Sequence, residues 1–302
     1  MEEYDVIIVG GGPAGLSAAI YAARYKLKTI VLSKTIGGLA ATAHKICNFP
    51  VFKEIKGYEL MQKFTDTVKH LNVPIKYDEV LKLEKEGDKF LVETKKEKIV
   101  GKKIIFALGT EHIKLGLTNE ARLLGKGVSY CATCDAAFFR EKVVGVVGGG
   151  DAALTAALLL SEYATKVYII YRKPEFIRAE PSWVELVEKE KKIESLFNEE
   201  IEEIVGEDNL EKIKLKSGKE IEVEGLFMEI GSKPETELID HMKIKKDNSG
   251  YIVIDKDQKT NIKGLYAAGD ITNNNLKQII TASGEGAIAA FNCYKDLKKE
   301  QE

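Results

Sequence analysis

The chain has 302 residues, long enough for two domains, and its 44% hydrophobic and 30% charged residues are those of an ordinary soluble globular protein. A formal net charge of −2 gives no bulk electrostatic case for nucleic acid or an anionic membrane. No apolar run approaches the ~20 residues of a membrane span, and the acidic opening MEEYDVIIVGGG enters a strand directly, unlike a signal peptide. An intracellular, cytoplasmic protein is the expectation.

In chain order, the first predicted element is the apolar strand Val6 to Val9, which runs into Gly10-Gly11-Gly12-Pro13-Ala14-Gly15 and then a helix rich in small residues. Glycines at these positions allow a tight turn and a close backbone approach to a pyrophosphate, and the helix N-terminus offers it partial positive charge. A second strand, KTIVLSK, ends on Ser33-Lys34, with no acid where one would bond a ribose 2′-OH. The apolar strand IIFALG follows, ending at Gly109.

Next comes SYCATCDAAFF, with Cys131 and Cys134 two residues apart and Asp135 directly after. The pair reads as half of a metal site, two small hydrophobes, or a redox dithiol. A reducing compartment argues against structural disulfides, and zinc needs a second close Cys or His pair. His44 and Cys47 make at best a composite partner, so no metal is expected; Cys47 and Cys293 read as buried small hydrophobes.

The strand–loop–helix unit then recurs. Strand Val143 to Val147 meets Gly148-Gly149-Gly150-Asp151-Ala152-Ala153 and a helix, and a further strand ends in YRKPEFIRAE. Gly10 to Ser33 and Gly148 to Tyr171 span the same distance, the mark of a duplication. Arg172, Lys173 and Arg178 crowd the ribose-reading end of this second copy, where a guanidinium suits a 2′-phosphate. GLFMEIG, ending at Gly231, closes the second sheet; the helix WVELVEKEKK reads as a charged solvated face with an apolar stripe. The expected fold is α/β, with two doubly wound dinucleotide-binding (Rossmann-like) domains.

The order of GxGxxG, CATCD, GGGxxA, YRK…R and a late YAAGD resembles the low-molecular-weight thioredoxin reductases over essentially the whole chain. The resemblance implies that the second domain is inserted into the first: an FAD domain of 1–113 and 242–302, and an inserted domain of 114–241 carrying the dithiol and swivelling between two presentations. It implies FAD at Gly10, Gly12, Pro13, Ala14, Gly15, Gly38, Leu39, Asn48, Gly109, Gly269, Asp270, Lys277, Gln278 and Ile279. It implies NADPH at Gly148, Gly150, Asp151, Ala152, Arg172, Lys173, Arg178 and Gly231. Cys131 becomes the outward thiol that attacks a thioredoxin or glutaredoxin-like disulfide, Cys134 the one nearer the flavin, and Asp135 the proton-handling acid; Asp135 also suits a helix N-cap. A homodimer follows from the resemblance alone.

Departures from the family pattern keep alternatives open. Gly37-Gly38-Leu39-Ala40 replaces the usual GGQL, Lys277 stands where arginine is usual, and the basic segment starts at Tyr171, is one residue longer and contains Pro174. A reduced deazaflavin, ferredoxin or NADH as donor remains, as does an oxygen-using small-molecule dithiol oxidase. A peroxidase-reducing flavoprotein would carry a further N-terminal dithiol module, a ferredoxin–NADP reductase would lack the cysteine pair, and a nucleotide-sensing scaffold would need neither CATCD nor the Gly-Asp segment.

Overall fold

The computed structural model describes residues 2–43 and 46–300. Strand β1 (Glu3–Gly11) holds Val6, Ile7, Ile8 and Val9 fully buried, as a central parallel strand covered on both faces requires. Helix α1 (Pro13–Arg24) begins with Pro13 in the first turn, where its missing N–H costs nothing. β2 (Thr29–Ile36) returns parallel to β1, pairing Val6 with Thr29. α2 (Gly38–Ala41) and α3 (Gly57–His70) lead to β3 (Ile75–Tyr77) on the far side of β2. β4 (Val80–Glu86), β5 (Lys89–Thr94) and β6 (Lys98–Phe106) form an antiparallel meander, and β6 also pairs in parallel with β1.

After β7 (Thr110–His112) the second set begins with β8 (Val128–Ser129), the short helix α4 (Ala132–Asp135) and a 3-10 turn at Ala136–Phe139. β9 (Val143–Val147), α5 (Asp151–Ser161) and β10 (Lys166–Tyr171) repeat the β1–α1–β2 unit: Val144 pairs with Val167 at the same offset as Val6 with Thr29. α6 (Pro181–Lys189) leads to β11 (Ile193–Phe197), the antiparallel trio β12 (Ile201–Val205), β13 (Lys212–Leu215) and β14 (Glu220–Glu222), and then β15 (Gly225–Met228). The parallel sheet runs β11-β10-β9-β15-β8. β16 (Ser232–Pro234) pairs with β7, β17 (Leu265–Ala267) joins β6, and α7 (Ile279–Lys299) packs on α1.

Parity along the strands sorts the cores. Val6, Ile8 and Val31 pack with α1, α3 and α7, while Ile7, Val9, Ile30 and Leu32 pack with Phe90, Phe106 and Ile239. In the second set Val144 and Val146 face α5, whereas Val147 joins residues of the antiparallel trio.

The α/β class holds, and the chain forms two compact units: Met1–Glu111 with Lys233–Glu302, and His112–Ser232. The return crossing lies earlier than the expected position 242. The reason is apolar: Ile239 is fully buried in the first unit's core, with Leu238 and Met242 packed against it, so this 3-10 segment (Glu237–Met242) belongs to the first unit.

Candidate active site

Cys131 and Cys134 are joined as a disulfide, with their Cα atoms 5.3 Å apart. Cys131 is the N-cap of α4, and its Sγ accepts the backbone N–H of Cys134 at 3.2 Å. As whole residues, Cys134 is exposed and Cys131 half-buried. Cys131 lies two residues after the sheet-bound Ser129, whereas Cys134 lies one helical turn further on, in α4. Asp135 makes no side-chain capping bond to the 3-10 turn that follows, and its Oδ2 accepts the Ser129 hydroxyl at 2.7 Å.

Upstream, the buried Glu120 carboxylate gathers the N–H groups of Leu115, Gly116 and Leu117 at 2.9, 2.6 and 3.3 Å, and the Tyr130 hydroxyl donates to it as well. Burial, then that bond, pushes the Tyr130 hydroxyl well up from its ordinary range. The His112 ring lies 5.8 Å from that of Tyr130, and burial pushes its pKa down.

In the same unit, Gly148 has φ +142°, and a Cβ there would stand 2.1 Å from the Glu229 carbonyl oxygen. Gly150 caps α5 without any side-chain bond, and a Cβ on it would meet nothing within 4 Å, leaving open space before the helix N-terminus. Asp151 Oδ1 accepts the Glu180 N–H at 2.7 Å, tethering the far end of the basic loop. The Tyr171 and Phe176 rings stack at 6.0 Å, and Phe176 meets Phe197 edge-on at 4.9 Å, so the extra length around Pro174 and Glu175 projects outward. Arg172, Lys173 and Arg178 are exposed, with no ion-pair partner among the described residues. Gly231 adopts φ +101°, Ala152 is exposed, and the buried Glu229 carboxyl is pushed up to about 8 by desolvation.

In the first unit a Cβ on Gly10 (φ +116°) would lie 2.2 Å from Ala107 O, and one on Gly15 would lie 2.0 Å from Gly10 O. Gly12, the N-cap of α1, has no side-chain cap and faces open space; Gly38 approaches within 3.6 Å of the Gly12 Cα, measured from its missing Cβ. Gly269 packs against Ala14. The half-buried Asp270 has no hydrogen-bond partner among the described residues; burial pushes its carboxyl up, with Lys277 opposing. Lys277, itself pushed down by burial, donates to the Thr272 carbonyl and lies 4.2 Å from the Tyr251 ring centroid. Asn48 donates to Gln278 Oε1 at 3.0 Å, and Gln278 caps α7, which starts at Ile279. Gly109 (φ +80°) opens on empty space, and Leu39 is exposed on α2.

The profile described as pyridine nucleotide-disulphide oxidoreductase matches residues 4–286. A thioredoxin reductase of Listeria innocua is 37% identical over 307 residues, covering 99% of this chain and 95% of the relative. The crystal structure of Lactococcus lactis thioredoxin reductase in its FR conformation superposes with a TM-score of 0.95 at 36% identity, covering 98% of this chain and 99% of that one. That of the T. acidophilum thioredoxin reductase gives 0.93 at 37% identity, with the same coverage. The chain belongs to the thioredoxin reductases, within the pyridine nucleotide-disulphide oxidoreductases.

Members of this family use FAD and NADPH, and both loops fit such groups: each presents an uncapped helix N-terminus facing open space. Asp270 adds an unpartnered carboxylate suited to hydroxyl donors, and the basic loop adds three unpaired cations suited to a phosphate. Other positions come out differently from the sequence reading. Cys293 is buried, but Cys47 is exposed, because the 47–52 segment is a surface turn. His44, and with it the His44–Cys47 pairing, lies outside the described residues.

Several polar side chains at these loops carried no sequence signal. Ser33, the ribose-position residue of the first copy, is buried: its Oγ accepts the Gly11 N–H at 3.0 Å and donates to Thr35 O at 2.6 Å, bracing the loop. Glu285 hides among small residues of α7, yet its Oε2 accepts the Gly269 N–H at 2.7 Å and fixes the Gly-Asp turn. Ser129, Glu120 and Tyr130 likewise looked like ordinary polar residues. Ser33 and Glu285 act across 22 and 16 positions, while Ser129, Glu120 and Tyr130 act within a folded loop whose path residue spacing does not show.

Proposed function

We propose that the protein is an FAD-dependent thioredoxin-disulfide reductase, drawing electrons from NADPH and passing them through Cys131 and Cys134 to thioredoxin or a glutaredoxin-like protein. The observation that carries the reading is the closed Cys131–Cys134 disulfide at the head of α4, followed by Asp135, in a chain of this family. When bound, FAD would supply the two-electron relay between reduced nucleotide and disulfide. Gly10, Gly12, Pro13, Ala14 and Gly15 would hold its pyrophosphate, and Gly38, Leu39, Asn48, Gly109, Gly269, Asp270, Lys277, Gln278 and Ile279 the rest. Gly148, Gly150, Asp151, Ala152 and Gly231 would hold NADPH, with Arg172, Lys173 and Arg178 at its 2′-phosphate.

Two electrons and two protons open the disulfide to two thiols. The Cys134 N–H points at the Cys131 sulfur, and Cys131 reacts as its thiolate. That thiolate attacks one sulfur of the substrate disulfide; a mixed disulfide forms, and the other substrate sulfur leaves and is protonated. Cys134 then gives its proton to Asp135 and attacks the Cys131 sulfur, restoring the internal disulfide and releasing the second substrate sulfur, which is protonated in turn. Phe138, 73% exposed just beyond the dithiol, offers an incoming protein an apolar contact.

The cytoplasmic location and the homodimer belong to the same proposal. No helix among the described residues is long and apolar enough to cross a membrane. The test is anaerobic mixing of the purified flavoprotein with NADPH, NADH or a reduced deazaflavin while the flavin absorbance is followed. Rapid bleaching by NADPH, then thioredoxin-dependent turnover, is expected. Bleaching only by another donor would overturn NADPH, and oxygen consumption without disulfide turnover would favour an oxidase.

A further inference from the structure

Ser129 is the last residue of β8, and its Cα is paired with Phe227 of β15, so it sits on a rigid sheet edge. The side chain is 4% exposed. Its Oγ accepts the backbone N–H of Cys131 at 3.0 Å and donates its single proton to Asp135 Oδ2 at 2.7 Å. One hydroxyl therefore ties the main chain of the first cysteine to the carboxylate that follows the second. Asp135 makes no capping bond, and without Ser129 its side chain would rotate about two torsions. With Oδ2 engaged, Oδ1, which has no hydrogen-bond partner among the described residues, is left to receive a proton.

We infer that Ser129 is a positioning residue for thiol–disulfide exchange: it anchors Asp135 and the Cys131 main chain to the sheet, so that Oδ1 is presented to the proton leaving Cys134. The inference rests on the reading of Asp135 as proton acceptor. In the step concerned, the Cys134 S–H bond breaks and its proton goes to Asp135 Oδ1. The Cys134 sulfur then forms a bond to Cys131 Sγ, and the bond from Cys131 Sγ to the substrate sulfur breaks, with the electron pair leaving on the substrate sulfur.

The test uses the full-length flavoprotein carrying Cys47→Ser, which removes the exposed free thiol, reduced with dithiothreitol, desalted anaerobically and mixed rapidly with 5,5′-dithiobis(2-nitrobenzoate). Two thionitrobenzoates are released in turn, the first by Cys131 and the second when Cys134 closes the internal disulfide. Ser129→Ala is expected to slow the second release about tenfold and leave the first unchanged. Asp135→Asn should slow the second release at least as much, and the double variant should be no slower than Asp135→Asn alone. Ser129→Thr and Ser129→Val, nearly equal in shape, separate hydroxyl from packing even if Ser129→Ala does not fold: the first should restore the rate and the second should not. Equal slowing of both releases, additivity with Asp135→Asn, or equal rates for the Thr and Val substitutions would overturn the role of Ser129. A normal second release in Asp135→Asn would overturn the reading of Asp135 itself, and the inference with it.

Discussion

Gly10 and Gly148 hold the same place in the two copies of the loop, and for the same reason. Each has a positive φ, and in each a side chain would drive into a backbone carbonyl, that of Ala107 or Glu229. Gly10→Ala and Gly148→Ala should each destabilise the protein by roughly 2–4 kcal/mol, read as a lower urea midpoint. Cys134→Ser should abolish disulfide reduction yet leave the flavin bound and reducible, and should hold substrate as a mixed disulfide on Cys131, detectable by mass spectrometry. Persisting turnover would remove the dithiol from the mechanism. Arg172→Ala with Arg178→Ala removes charge-assisted partners for a 2′-phosphate. The KM for NADPH should rise about 10- to 100-fold while that for NADH stays within about twofold, and equal changes in both would count against phosphate recognition.

At the scale of elements, the loops work because neighbouring strands and helices brace them. Asp151 at the start of α5 reaches the Glu180 backbone, and the Tyr171–Phe176–Phe197 aromatic group fixes the middle of the basic segment, which absorbs the extra residue without disturbing the glycine turn. Glu229, directly after β15, titrates away from the ordinary carboxylate range. Burial raises its carboxyl from the ordinary 4.5 to about 8, so between those values the folded chain binds a proton that the unfolded chain has released. Stability from this group is full below pH 4.5 and is lost as pH rises to about 8, at up to about 1.4 kcal/mol per pH unit. Glu229→Gln should flatten that fall and be the more stable protein at pH 8–9, measured by denaturant titration. Parallel pH profiles would exclude an uncompensated carboxyl at this position.

Across the whole molecule, α1 and α7 are pressed together by small residues: a Cβ on Gly286 would lie 2.0 Å from Ala14 O. This packing leaves Tyr21, Ile288 and Phe291 each about 40% exposed, with Tyr25 linking the Tyr21 and Phe291 rings at 6.5 and 5.9 Å. That connected apolar surface supports the proposed homodimer. Ile288→Asp with Phe291→Asp should convert a dimer to monomer in sedimentation velocity while the flavin stays bound. An unchanged sedimentation coefficient would place the interface elsewhere.

The amino-acid sequence by itself determined the two strand–loop–helix units, the redox pair and the basic segment. These depend on residue type at short spacing, where a missing Cβ, a thiol or a guanidinium acts locally. The tertiary structure alone decided that 233–241 joins the first unit and that Cys47 is exposed. It also decided which polar side chains brace the loops. Ser33 reaches Gly11 across 22 positions, and Glu285 reaches Gly269 from another element. A hydrogen bond depends on distance in space, and only the folded chain sets that distance.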